Sequence, residues 1–263
     1  MSKESRQAKH NISTLNEKPL HAALKEWYAR PGDRFEVPVD GYLVDIVRDG
    51  LLIEIQTRGF SPLKRKLGKL AETHPVRLVY PIARDKWIVR RAKRGKKVLG
   101  RSSRNGLGDA TASPGRRKSP KHGAVEDLFE ELVSIPKLLT NPNFALDVLL
   151  IHEEEVRRHD AARAWRRKGW VTHERRLLDV VDRRLFETPA DLAALVPDGL
   201  AEPFTTADLA DAIARPRWLA QKMAYCLRQM GAIHPVGKRG RTILYARRHA
   251  PRPRTPRRTR TKR

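Results

Sequence analysis

The chain is 263 residues long and carries 55 Lys and Arg against 30 Asp and Glu, a formal net charge of +25. Its one cysteine, Cys226, excludes a disulfide framework and a cysteine zinc cluster, and no apolar run approaches the ~18 residues of a spanning helix. With Met1–His10 polar, no secretory leader and no membrane partner are expected, and the protein is placed in the cytoplasm, at the nucleoid in a prokaryote.

The charge is unevenly spread. Between Arg84 and His122 fourteen Lys or Arg face two acids, Asp85 and Asp109, and Arg247–Arg263 holds nine with no acid, which leaves a net of only +4 elsewhere. The excess sits in a Gly/Ser/Lys/Arg linker over 91–122 and a Pro/Arg/Thr tail over 249–263, both expected to be flexible. Such segments hold phosphates by counterion release without reading a sequence, so nucleic acid, DNA in preference to RNA, is the expected partner. A solubilising tail is the plainer alternative.

In chain order, residues 1–15 read as disordered, and a helix then opens at Asn16-Glu17-Lys18-Pro19 with Asn16 as its N-cap and Pro19 in its first turn. Arg34–Thr57 contains two Asp-Gly turns, Asp40-Gly41 and Asp49-Gly50, between alternating apolar residues. Asp-Gly favours a two-residue type I′ loop, because both central positions need positive φ. Counting outward from Asp49-Gly50 pairs Arg48 with Leu51, Val47 with Leu52, Ile46 with Ile53 and Asp45 with Glu54, and the first turn sets Glu36 opposite Asp45. Val44, Ile46, Ile53 and Ile55 then share an apolar core face. Directly opposed carboxylates repel unless a cation lies between them, so the row reads as a metal site. Without a metal, Asp45 and Glu54 are solvated residues on a polar sheet face, Glu36 is an acid near the edge strand that Pro38 marks, and Glu17 is a favourable charge at a helix N-terminus.

A Lys-rich helix follows from Pro62 to about Glu72, then strands at Val76–Tyr80 and Trp87–Val89, the former parallel to Leu51–Gln56 through a right-handed crossover. Gly106-Leu107-Gly108 lacks the Lys-Ser/Thr of a nucleotide-binding loop. Val125–Leu139 has a helical pattern that ends near Pro136. Leu146–Ile151 and Arg176–Val181 are each either a strand or a buried helix turn, which periodicity does not decide. His152-Glu153-Glu154-Glu155 has Val156 where a zinc protease needs its second His. Arg157, Arg158, Arg163, Arg166, Arg167 and Lys168 flank Trp165 and Trp170, which suits a phosphate-and-stacking surface or, equally, a solvated helix face.

Pro189–Leu195 and Thr206–Ala214 read as short helices, the second capped by Thr205 or Thr206, and a third runs from Arg217 to Met230. Leu219, Met223, Cys226, Leu227 and Met230 share one face of the third, and Arg217, Gln221, Tyr225 and Arg228 the other. Ala232–His234 and Thr242–Ala246 form a hairpin around a basic turn bearing Lys238, Arg239 and Arg241.

Two resemblances follow. The helix opening at Asn16-Glu17, the strand ending in Val44-Asp45 and the run Ile53-Glu54-Ile55-Gln56 resemble the PD-(D/E)XK nuclease superfamily over roughly residues 16–90. The resemblance implies an α/β restriction-endonuclease-like mixed sheet flanked by helices. It implies Asp45 and Glu54 as ligands of Mg²⁺ (or Mn²⁺), and Glu17 as the helix acid of the same site. Gln56 stands where the superfamily carries Lys. Gln can orient a water but brings no charge and is no base. Lys64 or Lys66 on the next helix is placed to substitute. Residues 187–248 resemble a winged helix-turn-helix, which implies DNA contacts from Arg217, Gln221, Tyr225 and Arg228 and from the wing residues Lys238, Arg239 and Arg241. Many such modules bind a protein partner instead. The expected organisation is a disordered 1–15, a nuclease-like domain over 16–90, a linker over 91–122, a middle region over 123–186, a winged-helix-like domain over 187–248 and a tail over 249–263. The expected activity is that of a Mg²⁺-dependent endonuclease; the alternative is a non-catalytic DNA-binding regulator or recruitment protein with a degenerate nuclease fold.

Overall fold

The computed structural model describes residues 18–91, 115–160 and 169–248. Asn16 and Glu17, the linker residues 92–114, Trp165 with Arg163, Arg166, Arg167 and Lys168, and the tail 249–263 lie outside the described residues.

Helix α1 (Pro19–Tyr28) begins at its proline, where a missing N–H costs nothing. Strands β1 (Arg34–Val39), β2 (Tyr42–Arg48) and β3 (Leu51–Ile55) follow as a meander. Both Asp-Gly turns carry positive φ at both positions: 48° and 81° at Asp40 and Gly41, 46° and 84° at Asp49 and Gly50. The register is the one that counting from those turns predicts, with Arg48 on Leu51, Val47 on Leu52 and Ile46 on Ile53, and with Phe35 on Ile46 and Val37 on Val44. The β2–β3 ladder stops at Ile46 and Ile53, one step short of Asp45 and Glu54. There the Ile55 N–H donates to the Asp45 carboxylate (2.8 Å) in place of a backbone carbonyl.

After a single 3₁₀ turn (Ser61–Leu63), helix α2 (Lys64–Leu70) leads to β4 (Val76–Arg91), parallel to β3 from Leu52–Val76 to Ile55–Val79. The two short strands expected at 76–80 and 87–89 are one strand of 16 residues, with an irregularity between Ala83 and Asp85. A short β5 (Arg116–Lys118) pairs with its far end. The helix expected over Val125–Leu139 is broken into a 3₁₀ turn (Val125–Leu128), a four-residue α3 (Phe129–Leu132) and another 3₁₀ turn (Leu138–Thr140). β6 (Phe144–His159) runs parallel to β4, and β7 (Trp170–Phe186) antiparallel to β6. The two segments that periodicity left open, Leu146–Ile151 and Arg176–Val181, are therefore strand. They extend the sheet well past residue 90, in the order β1-β2-β3-β4-β6-β7 with β5 on β4. The architecture is α/β: a seven-stranded mixed sheet with helices on both faces.

The C-terminal helices are α4 (Pro189–Ala193), α5 (Thr206–Ala212) and α6 (Arg217–Gln229), followed by the hairpin β8 (Ile233–Arg239) and β9 (Thr242–Arg247). Of the two candidate caps for α5, Thr205 takes the role: its hydroxyl accepts the N–H groups of Ala207 and Asp208 at 3.2 Å each, and Asp208 accepts back from the Thr205 N–H.

One face of the sheet meets α1, where Leu20, Leu24 and Tyr28 pack on Ile46, Ile53, Ile55, Val79, Leu149 and Ile151. Val44 does not join them; it belongs to the opposite cluster with Val47 and Leu52, so the alternation of β2 is interrupted at Asp45. On that opposite face Leu78, Leu146 and Val148 meet Phe60 and Leu67, then Phe129 and Leu132, and the same cluster continues into Leu219, Met223 and Leu227 of α6. The C-terminal helices are thus docked on the sheet through shared core. Each fully buried Leu of that seam contributes ~1.5–3 kcal/mol against exposure, so Leu227→Ala would loosen the junction and the α6 packing together.

Candidate functional site

Asp45 and Glu54 occupy the place where β2 and β3 part. Glu54 is 8% exposed and Asp45 half-buried. Lys66 reaches over from α2, its Nζ donating to Glu54 Oε1 at 2.5 Å and to the Leu43 carbonyl at 2.6 Å. Glu54 Oε2 is buried and has no hydrogen-bond partner. On the α1 side, His21 Nε2 lies 3.3 Å from Asp45 Oδ2.

The two acids respond oppositely to this setting. Burial and the neighbouring Asp45 charge push Glu54 up to about 7, against the pull of Lys66. Burial opposes ionisation of Asp45 as well, but His21, the Ile55 N–H and Lys66 outweigh it and hold Asp45 below its ordinary value. Glu54 thus carries an incompletely offset charge whenever it is ionised.

The remaining site residues fall around this pair. The expected pairing of Glu36 with Asp45 is not in the β1–β2 register, which passes from Phe35–Ile46 to Val37–Val44; Glu36 has positive φ (50°) there and pairs with Lys25 at 3.2 Å. Gln56 donates its amide to the Gly59 carbonyl at 2.9 Å, which closes the turn after β3. Lys64 is exposed and lines a surface groove, whereas Lys66 contacts Glu54. Two residues apart on a helix, the two lysines lie roughly 200° around the axis, so only one can face the carboxylates. Glu17 lies outside the described residues. Sequence reasoning missed His21; its only signal is its position on the helix that carries Leu20 and Leu24 into the core.

Among the described residues no group of three or more His, Cys, Asp or Glu converges as a metal-binding cluster. A hard divalent cation such as Mg²⁺ is commonly held by one or two carboxylates and keeps several waters. The buried, unpartnered Glu54 oxygen beside the Asp45 carboxylate is the donor chemistry such an ion takes.

At the C-terminal end, Arg217, Gln221, Tyr225 and Arg228 of α6 and Arg241 of the hairpin line one cleft of about 360 Å³. Lys238 and Arg239 are exposed on β8 but do not line it. Cys226, on the buried side of α6, is raised by burial to about 12 and is inert as a nucleophile. No helix among the described residues is long and apolar enough to cross a membrane.

A protein of Treponema pallidum (strain Nichols), described as uncharacterized, is 32% identical over 235 residues, covering 89% of this chain and 86% of that protein. A match of that extent reaches beyond the sheet into the C-terminal helices. No solved structure matches. The profile of one family, described as a domain of unknown function, DUF8091, matches residues 18–111 and 107–187, the stretch that builds the sheet and the carboxylate pair. The chain belongs to the DUF8091 family.

Proposed function

We propose that the protein is a metal-dependent nuclease that hydrolyses phosphodiester bonds of DNA, with a restriction-endonuclease-like core and a winged-helix module at its C-terminus. The observation that carries this reading is the Glu54 carboxylate: buried, one oxygen on Lys66 and the other without a partner, next to a second carboxylate held ionised. The order α1, three-strand meander, α2 and a parallel β4 beside β3 agrees with such a core. Three helices and a basic hairpin agree with a winged helix.

Asp45 and Glu54 would hold Mg²⁺ or Mn²⁺, an ion that polarises a phosphoryl oxygen and lowers the pKa of a bound water. His21 and the Ile55 N–H fix the orientation of Asp45. Lys66 supplies the cation that Gln56 does not, next to Glu54 where a phosphate would approach. Glu54 must lose its proton to hold the ion, so affinity for Mg²⁺ should weaken as pH falls below about 7.

The second reading is a DNA-binding protein without catalysis, and one observation favours it: the Gln56 amide is engaged by the Gly59 carbonyl and not turned to the carboxylates. Cleavage of labelled single-stranded, duplex and branched DNA with Mg²⁺ or Mn²⁺ against EDTA separates the two. Metal-dependent cuts lost in Asp45→Asn and Glu54→Gln are expected; DNA binding with no cut under any cation, and calorimetric Mn²⁺ binding that survives the double substitution, would sink the nuclease reading.

A further inference from the structure

Three surface cavities adjoin. The first, about 890 Å³, lies between α2 and the Asp40-Gly41 turn. The second, about 520 Å³, lies between α2, the turn around Lys137 and the end of α6. The third is the 360 Å³ cleft between α6 and the hairpin. Lys64 and Gly68 line both the first and the second, and Tyr225 lines both the second and the third, so each depression borders the next along the surface.

The charge along this path is predominantly positive. Of its two acids, Glu72 pairs with Lys69 at 2.6 Å, and Asp40 lies 3.1 Å from the His74 ring nitrogen. Six further cations, Lys64, Arg65, Lys137, Arg217, Arg228 and Arg241, line it. Elsewhere on the molecule basic side chains find carboxylates readily, as Arg48, Arg116, Arg176 and Arg247 do. These six form no ion pair among the described residues. A row of unmatched cations spread over α2, a turn and α6 is stable beside solvent but gains most from a ligand that carries a charge at every step, which is a polynucleotide backbone. The exposed Tyr225, where the second and third cavities meet, offers a ring or hydroxyl to a sugar or base.

We infer that this groove binds one DNA duplex across the sheet domain and the C-terminal module together, so that α6 and α2 grip the same molecule. Lys66 projects from α2 two residues from Lys64, to the carboxylate pair. The strand between, Tyr42-Leu43, lines the groove at one end and gives Lys66 its second acceptor at the other. The inference deepens the proposed function and rests on it only for the consequence that a scissile phosphate would lie a fixed distance from the α6 contact. Binding itself does not require hydrolysis.

The test uses the full chain in EDTA, so that cleavage plays no part. Anisotropy of labelled duplex DNA is measured over a salt series for wild type, for Lys64→Ala/Arg65→Ala/Lys137→Ala, and for Arg217→Ala/Arg228→Ala/Arg241→Ala. Each triple variant is expected to weaken duplex binding at least tenfold and to flatten the salt slope by ~2–3, since each phosphate contact contributes ~0.9. The charge-retaining Lys64→Arg/Lys137→Arg should bind as wild type, and unchanged unfolding temperatures exclude a folding defect. Unchanged affinity and slope in the α2-side triple variant would overturn the continuous groove, as would a preference for single-stranded DNA or duplex RNA, or loss of a protein partner without loss of DNA. A protein that binds through the groove yet never cleaves with Mg²⁺ or Mn²⁺ refutes the nuclease reading alone. One that cleaves while both triple variants bind normally refutes the groove alone.

Discussion

The acids buried on β6 and those at the parting of β2 and β3 sit in the same sheet, yet their surroundings differ in kind. Asp147 takes Arg183 through Nε and Nη2 (2.9 and 2.6 Å) and accepts the Tyr28 hydroxyl at 2.5 Å. Glu153 takes Arg175 through two nitrogens on one oxygen; its other oxygen, like that of Glu54, has no hydrogen-bond partner, but Lys86 lies 2.8 Å from it as a second cation. Glu155 is opposed by burial, but Arg157, Thr172 and Lys86 outweigh it and bring the group down to about 2. Glu54 has a single lysine against the two cations of Glu153, and the Asp45 charge for a neighbour. Burial alone therefore does not mark a functional carboxylate. What separates the two regions is whether the protein itself supplies enough positive charge, because a buried charge left short of partners costs several kcal/mol that a structural acid would not carry.

That difference can be broken experimentally, beginning at the carboxylate pair. Asp45→Asn and Glu54→Gln should each reduce metal-dependent cleavage by more than ~100-fold, and Lys66→Ala should cost more activity than Lys64→Ala because Lys66 alone touches Glu54. Equal losses from the two lysines in a single-turnover assay would remove the role given to Lys66.

On β6 the expected damage is to stability instead. Arg175→Ala leaves Glu153 fully buried with only Lys86 beside it and should cost ~3–5 kcal/mol in urea unfolding, with no direct effect on metal binding. A cost under ~1 kcal/mol would show that the β6 acids are no better compensated than Glu54.

The pair also has opposite pH signs. Because Glu54 holds its proton in the folded protein up to about pH 7, while an unfolded Glu releases it near 4.5, the cation-free protein should lose stability as pH rises through that window, by about 3 kcal/mol at most. Asp45, depressed in the fold, stabilises above its ordinary value of 3.8 and loses that contribution only in more acid solution. Glu54→Gln should accordingly raise the melting temperature at pH 8 in EDTA and do little at pH 5. A melting temperature that falls at pH 8 would mean that Glu54 is as well satisfied as Glu153. The smallest effect is expected at Gln56. Its hydrogen bond to Gly59 is worth ~1 kcal/mol, so Gln56→Ala should lower stability by about that much and leave Mn²⁺ affinity nearly unchanged.

Much of this site was legible without coordinates. Two Asp-Gly loops of two residues leave no freedom in the count, so Asp45 and Glu54 could be placed on neighbouring strands from their distance to the turns alone. The face of α6 was legible for a similar reason: a 3.6-residue period puts Leu219, Met223 and Leu227 inward and Arg217, Gln221 and Arg228 outward. The choice between Lys64 and Lys66 was not legible, because it depends on how α2 is rotated about its axis, and that is set by Leu67 and Leu70 docking on the sheet.

Local chemistry thus determined the turns, the register of the meander next to them and the two sides of α6, and narrowed the cap of α5 to two threonines, since each depends on residues a few positions apart. Tertiary structure decided everything that rests on partners far along the chain. Tyr28 meets Asp147 at a separation of 119 residues, and Arg183 meets Tyr28 at 155. Which carboxylate is neutralised, and which is left short of positive charge, follows from those distant approaches: β4 and β6 come side by side although β5 and α3 lie between them in the chain, and no spacing in the sequence records which basic residue then lands on which acid.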